Sequence, residues 1–295
     1  MTASALARPL SSQAPGPAPL GPDSLVWRLG FPRTGMLVAG RALLMQVAHP
    51  VIGAGVRDFS AFRTDPWGRL DRTITSLTTQ LFGGQQSITE AQRLREMHRS
   101  IKGVGFHGER YSALDPQAYA YVHLSNIDST LKFNDLFVRP LSTADKRRLF
   151  ADWRQAGLVL GIKDAHMPTD VEGLRAYVDD KVAHELELNV TCTELIETLN
   201  LRDIPPPYAL LPRPLWAALK PSGRHLLHDT TVGTLPPALR EKLGLEWSAA
   251  DEQRLQRVAA AVRAAAVLVP DRALHYPLAY QAVRAAKRTE RGRTA

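Results

Sequence analysis

Asp65-Pro66-Trp67-Gly68-Arg69-Leu70-Asp71-Arg72-Thr73-Ile74-Thr75-Ser76-Leu77-Thr78-Thr79-Gln80-Leu81-Phe82-Gly83-Gly84 reads as one helix with both ends marked. Asp65 is a good N-cap, Pro66 fits a first helical position where its missing N–H has no intrahelical partner, and Gly83-Gly84 stops the helix. Leu70, Ile74, Leu77 and Leu81 recur at helical spacing and form a core stripe. A polar row of Arg69, Thr73, Ser76 and Gln80 runs beside it on one flank. A polar row next to a core stripe needs a partner.

The next stretch supplies one. Ser87-Ile88-Thr89-Glu90 has the spacing of a capping box, and the helix it opens is expected to run to Lys102 and stop at Gly103. Leu94, Met97 and Ile101 define its buried face, which includes His98, while Arg93, Arg95, Arg99 and Lys102 fall mostly on the solvated side. An inward imidazole among apolar side chains has two readings. It is either a core histidine bonded to a backbone carbonyl or a neutral nitrogen donor of the kind that ligates iron. Spacing leaves both open.

The same two-helix logic extends outward. Met36 to Val56 is the most apolar stretch and approaches the length of a membrane span, but Arg41, His49 and Pro50 interrupt it, which favours a buried core helix. Pro50 cannot donate to a helical ladder and disfavours helical geometry at His49, so a kink is expected there. His49 then either lines a pocket wall or satisfies a carbonyl freed by the kink. Asp115-Pro116 opens a long helix carrying Tyr119, Val122, His123, Ile127, Leu131 and Phe133 on its apolar side, which makes His123 the rival of His98.

Ser142 to Asp145, Thr169 to Glu172 and Ser248 to Asp251 are further capping boxes. Asp180 to Glu197 reads as a structural helix, since His184-x-x-Glu187 is unpaired and lacks the Glu-x-x-His order of carboxylate-bridged di-iron sites. Leu201 to Gly223, rich in proline, is expected to wrap the surface. An Ala-rich helix ends before Pro270, and a last helix reaches about Lys287. Strand-like alternation is scarce, and there is no internal repeat, phosphate loop or nucleophile elbow. The expected fold is all-α, a single large helical domain over residues 25–288 with a buried pocket. An Ala/Pro/Ser-rich disordered tail over residues 1–24 precedes it and a basic tail over 289–295 follows.

Composition fits this. The chain has 295 residues, 44% of them hydrophobic and 22% charged, enough for a sizeable core and unlike a disordered protein. One cysteine, Cys192, excludes an intrachain disulfide and Cys-based zinc or iron–sulfur sites, which fits a reducing compartment. The net charge of +8 is spread over helix flanks and the C-terminal tail rather than interleaved with aromatics, so no nucleic-acid partner is expected. No continuous apolar core follows Arg8, so the N-terminus does not read as a signal peptide, and a cytoplasmic location is expected.

Several stretches together resemble a known family. They are Leu43-Leu44-Met45-Gln46-Val47-Ala48-His49-Pro50, Phe62 to Leu70 with Arg72-Thr73, Met97-His98, Tyr121-Val122-His123 with Asp128-Ser129, Arg139-Pro140-Leu141-Ser142, and Thr234 to Arg240. In order and spacing these are similar to the catalytic domain shared by rubber oxygenases (latex clearing proteins) and the MpaB-type oxygenase of the mycophenolic acid pathway. The resemblance implies an all-helical fold, a b-type haem held through its iron by His98, and an Arg-x-x-x-Thr pair at Arg69 and Thr73.

On that basis the cofactor-binding residues are His98, Arg69, Thr73 and, as second pocket residue or rival ligand, His123. Arg69, Arg72, Thr73 and His49 are the catalytic candidates. Arg72 stands where rubber oxygenases have Lys, and no Glu lies between Gly35 and Gly68 to act as their upstream base, which leaves His49 or Asp58. The implied partners are dioxygen and a small apolar molecule such as a terpenoid, a lipid or a secondary-metabolite intermediate, with an electron donor as an open addition. Two other readings of the residues stand beside this one: a non-catalytic haem sensor or carrier, and a haem-free helical interaction protein.

Overall fold

The computed structural model describes residues 16–201, 204–206 and 212–294. Helix α1 (Leu25–Leu29) is capped by Ser24, whose hydroxyl accepts from the Trp27 N–H. A 3₁₀ segment, Arg33–Val38, leads into α2 (Ala39–Val47). His49 then takes an extended conformation, φ −76° and ψ 125°, and Pro50 opens α3 (Pro50–Phe59). The apolar stretch is therefore broken, and its two arms meet at 106°. Among the described residues no single helix is long and apolar enough to cross a membrane. Arg41, inside this stretch, is buried and pairs with Asp128, while its second amino group donates to Met45 Sδ at 2.8 Å.

α4 (Pro66–Phe82) has the expected ends: Asp65 accepts from the Gly68 N–H at 3.0 Å and Gly83 is the C-cap. α5 (Gln86–Arg99) starts earlier than expected. Gly84 adopts φ +53°, which lets the chain turn straight into the helix. Ser87 thus lies inside the first turn, with its hydroxyl donating to the Gly84 carbonyl. Glu90 is drawn to Ser76 of α4 and to Arg93 instead of closing a capping box. The helix also stops sooner, because Lys102–Val104 forms β1 and pairs antiparallel with β2 (Arg110–Ser112). This hairpin is the only sheet among the described residues.

α6 (Pro116–Phe133) is the axis of the molecule. Asp115 caps it, accepting from the Gln117 and Ala118 N–H groups, and Tyr121, Leu124 and Ile127 are fully buried along it. Burying three such side chains contributes on the order of 5–9 kcal/mol before conformational entropy is counted. A π-helical turn, Asn134–Val138, extends α6 and places Phe137 beside Phe133, their rings stacked 5.9 Å centre to centre. α7 (Thr143–Val159) has the expected Ser142 cap. α8 (Val171–His184) is capped by Asp170, one residue later than the Thr169 box, because the Asp170 carboxylate accepts from the Gly173 N–H at 2.7 Å.

The stretch Asp180 to Glu197 is not one helix. It breaks after His184, and α9 (Val190–Leu199) restarts under an Asn189 cap. The broken segment is tied to the α2–α3 corner: Glu187 N–H donates to the Ala48 carbonyl and Asn189 Nδ2 to the Val47 carbonyl. These carbonyls lack intrahelical partners because of the Pro50 break, and the non-helical segment supplies donors to them. Residues 202–203 and 207–211 lie outside the described set. Beyond them Arg213–Gly223 is helical rather than a surface wrap, as the first half of α10 (Arg213–Val232) with Pro221 inside it.

α11 (Pro237–Lys242), α12 (Ala249–Leu268), α13 (Asp271–Leu274) and α14 (Pro277–Thr294) complete the chain. The Ser248 and Asp251 capping box of α12 forms in full. α14 continues through the stretch expected to be a basic tail and packs against α1 and α4. Of the N-terminal tail, residues 1–15 lie outside the described set, while Leu20 is buried in the main core and Gln155 donates to the Ala18 carbonyl. The fold is all-α, as expected, with α2 and α6 at its centre.

Candidate active site

α4 and α5 form a helical hairpin, and the polar row on α4 divides along it. Its upper half is satisfied by α5: Ser76 donates to Glu90, and Gln80 donates to Ser76 at 3.1 Å. Its lower half has no acid to meet. Arg69 is half-buried and donates to the Thr73 hydroxyl and to Ser60 Oγ at 3.4 Å, while Thr73 donates back to the Arg69 carbonyl at 2.9 Å. Among the described residues no carboxylate pairs with the Arg69 guanidinium. Burial, with the neighbouring Arg72 charge adding to it, pushes its pKa down from the usual arginine value. Arg72 itself faces solvent and pairs with Asp65, the cap of its own helix, at 3.1 Å.

His98 lies across from this cation. Its Nδ1 is 2.7 Å from the Leu94 carbonyl, which can only accept, so the proton sits on Nδ1 and Nε2 carries a free lone pair. Nε2 has no hydrogen-bond partner among the described residues. Burial is the main cause that keeps the imidazole below its ordinary pKa, and the Arg93 and Arg69 charges add to it, so the ring is neutral at pH 7. The Tyr119 ring of α6 meets His98 edge-on at 5.7 Å. The face around His98 is shallower than the spacing suggested, since Met97 is 44% exposed.

The other two candidate histidines lie elsewhere. His123 is buried in the main core, where its Nε2 donates to the Trp153 carbonyl at 2.8 Å and burial holds its pKa down to about 4. His49 caps the N-terminus of α3, whereas Ser60, which contacts Arg69, follows the C-terminus of that helix. Ten helical residues separate them by about 15 Å. His49 instead meets residues that spacing did not single out. Its Nε2 is 3.3 Å from Glu185 Oε2, Glu185 pairs with the buried Lys181, and Tyr121 and Tyr177 stand beside the group. His49 and Glu185 are far apart in sequence and meet only because the α8–α9 break folds onto the α2–α3 corner, so no local pattern could have joined them.

The residues around His98 fit haem b in donor chemistry. A haem needs one neutral imidazole with a fixed tautomer and cations for its carboxylates; His98 would supply the first, and Arg69, a half-buried cation with no carboxylate partner among the described residues, would supply the second. Among the described residues no three His, Cys, Asp or Glu side chains converge as a metal cluster. A cleft of about 640 Å3 lies close by, lined by Val51, β1, β2, Leu114 and Asp115. It takes in neither His98 nor Arg69. The segments flanking it nevertheless lead to the His98 and Tyr119 pair: Ile101 N–H donates to the His98 carbonyl at 3.1 Å, and Asp115 lies one helical turn before Tyr119.

Two mycobacterial proteins, both uncharacterized, align with most of the chain. One is from Mycobacterium bovis and one from Mycobacterium tuberculosis, each 25% identical over 243 residues that cover 81% of this chain and 91% of the relative. No solved structure matches. Residues 27–264 match the family described as ER-bound oxygenase mpaB/B'/Rubber oxygenase, catalytic domain, a span that contains α4, α5 and every candidate residue above. The chain therefore belongs to the MpaB and rubber oxygenase catalytic-domain family.

Proposed function

We propose that this protein is a haem-b-dependent oxygenase that uses dioxygen to oxidise a small, largely apolar substrate. The observation that carries this reading is the pairing of a neutral His98, its Nε2 lone pair free, with the uncompensated Arg69 cation on the facing helix. Bound haem would supply the redox chemistry that activates dioxygen. The protein's own groups do the rest. His98 Nε2 would hold the iron, and the Leu94 carbonyl fixes the ring's rotation and tautomer. Arg69 holds an acidic group of the cofactor or a developing negative charge, and the Thr73 hydroxyl, bound to both the Arg69 side chain and backbone, fixes the guanidinium in place. Arg72, on the solvated side, closes over a carboxylate only by exchanging Asp65 for it.

The test is the visible absorption spectrum of protein made with haem precursor supplied, beside the His98→Ala variant. The expected result is a Soret band in the wild type that is lost or shifted in the variant while the far-ultraviolet dichroism is unchanged. A Soret band unmoved by the substitution, or none in the wild type, overturns the reading.

A further inference from the structure

Residues of both strands of the hairpin β1–β2 line the cleft. Lys102 pairs with Ser112 and Val104 with Arg110, so these four side chains lie on the same side of the ladder, while Tyr111, largely buried on the other side, also borders the cleft. The cleft they line combines two kinds of surface. Val51, Val104 and Leu114 make it apolar, and Val104 is 55% exposed there. Lys102 and Arg110 make it cationic, and among the described residues neither has an ion-pair partner. The one acid in the lining, Asp115, already accepts two backbone N–H groups as the α6 cap. The neighbouring Asp58 is held by Arg57 and by the Tyr111 hydroxyl at 2.7 Å.

We infer that this cleft binds an amphiphile, an apolar chain carrying an anionic head, with Lys102 and Arg110 on the head and Val51, Val104 and Leu114 along the chain. The volume of about 640 Å3 lies within the range of small-molecule sites. An uncharged apolar molecule would fill the same walls and leave both cations without a counterion, so the charge selects the ligand class. The inference deepens the oxygenase reading by naming its substrate class and rests on that reading for the ligand's fate; binding itself needs no cofactor.

The head is a carboxylate or a phosphate, and the experiment separates the two. Calorimetric titration of the full chain with decanoate, decyl phosphate and decan-1-ol, below their aggregation limits, is repeated on a Lys102→Gln, Arg110→Gln double variant whose melting temperature is checked. At least one anion is expected to bind about tenfold more tightly than the alcohol, equal to about 1.4 kcal/mol, and the variant is expected to remove that preference. Equal affinity for anion and alcohol, an undiminished preference in the variant, or no binding of any probe overturns the inference. None of these outcomes depends on the His98 spectrum, so this inference and the haem reading fail separately.

Discussion

His123 is held neutral by the core, and that makes its effect on stability calculable. Burial lowers its pKa from 6.5 to about 4, and the bond to the Trp153 carbonyl, which favours the protonated form, does not offset it. Above pH 6.5 the folded and unfolded chains both carry a neutral ring, and the stability is present in full. As pH falls below 6.5 the unfolded chain takes up a proton that the folded one refuses, and stability is lost until about pH 4. Between pH 7 and pH 5 the loss is about 2 kcal/mol, from roughly 1.5 units at 1.36 kcal/mol each. His49, His98 and His275, whose pKa values are also lowered, add to the observed slope. His123→Gln isolates the single site, since the amide can still donate to Trp153 but does not titrate. Urea unfolding of both proteins at pH 7 and pH 5 is expected to show a fall in stability about 2 kcal/mol smaller in the variant. Equal falls would mean that His123 is not buried as a neutral ring, and the account of it as a core histidine would fail.

Asp128→Ala leaves the buried Arg41 guanidinium with only a thioether and is expected to cost about 3–5 kcal/mol in urea unfolding, several times what an exposed pair costs. Arg69→Met is expected to behave oppositely. It removes a half-buried cation that has no carboxylate, so the unfolding midpoint is expected to stay or rise by up to about 1 kcal/mol in stability while haem retention falls; a large loss of stability would show that Arg69 is structural.

Helix boundaries were legible where a side chain and the backbone ask for the same thing. Asp65-Pro66, Asp115-Pro116, the His49-Pro50 break and the Ser248 box are local chemistry, and each forms as the residues demand. Ser87 failed because a stronger competitor stood nearby: Glu90 gains two partners, Ser76 and Arg93, by leaving the cap. The hairpin was missed because three-residue strands are too short to show alternation, although Gly103, Gly105 and Gly108 mark the turn. In the candidate site, His98 and Arg69 could be placed on their helices from periodicity alone. The absence of a carboxylate beside Arg69 could not, because it depends on which acids the fold brings near.

The family match ends at residue 264, inside α12, yet α14 lies against α1 and against α4, the helix that carries Arg69 and Thr73. Trp27 of α1 is in turn bonded to the Leu81 carbonyl at the end of α4. The unit of homology and the unit of folding therefore differ. A fragment trimmed to the shared domain would keep every candidate residue and lose the buttress behind them, so expression boundaries chosen by alignment would remove support from α4 without touching its chemistry.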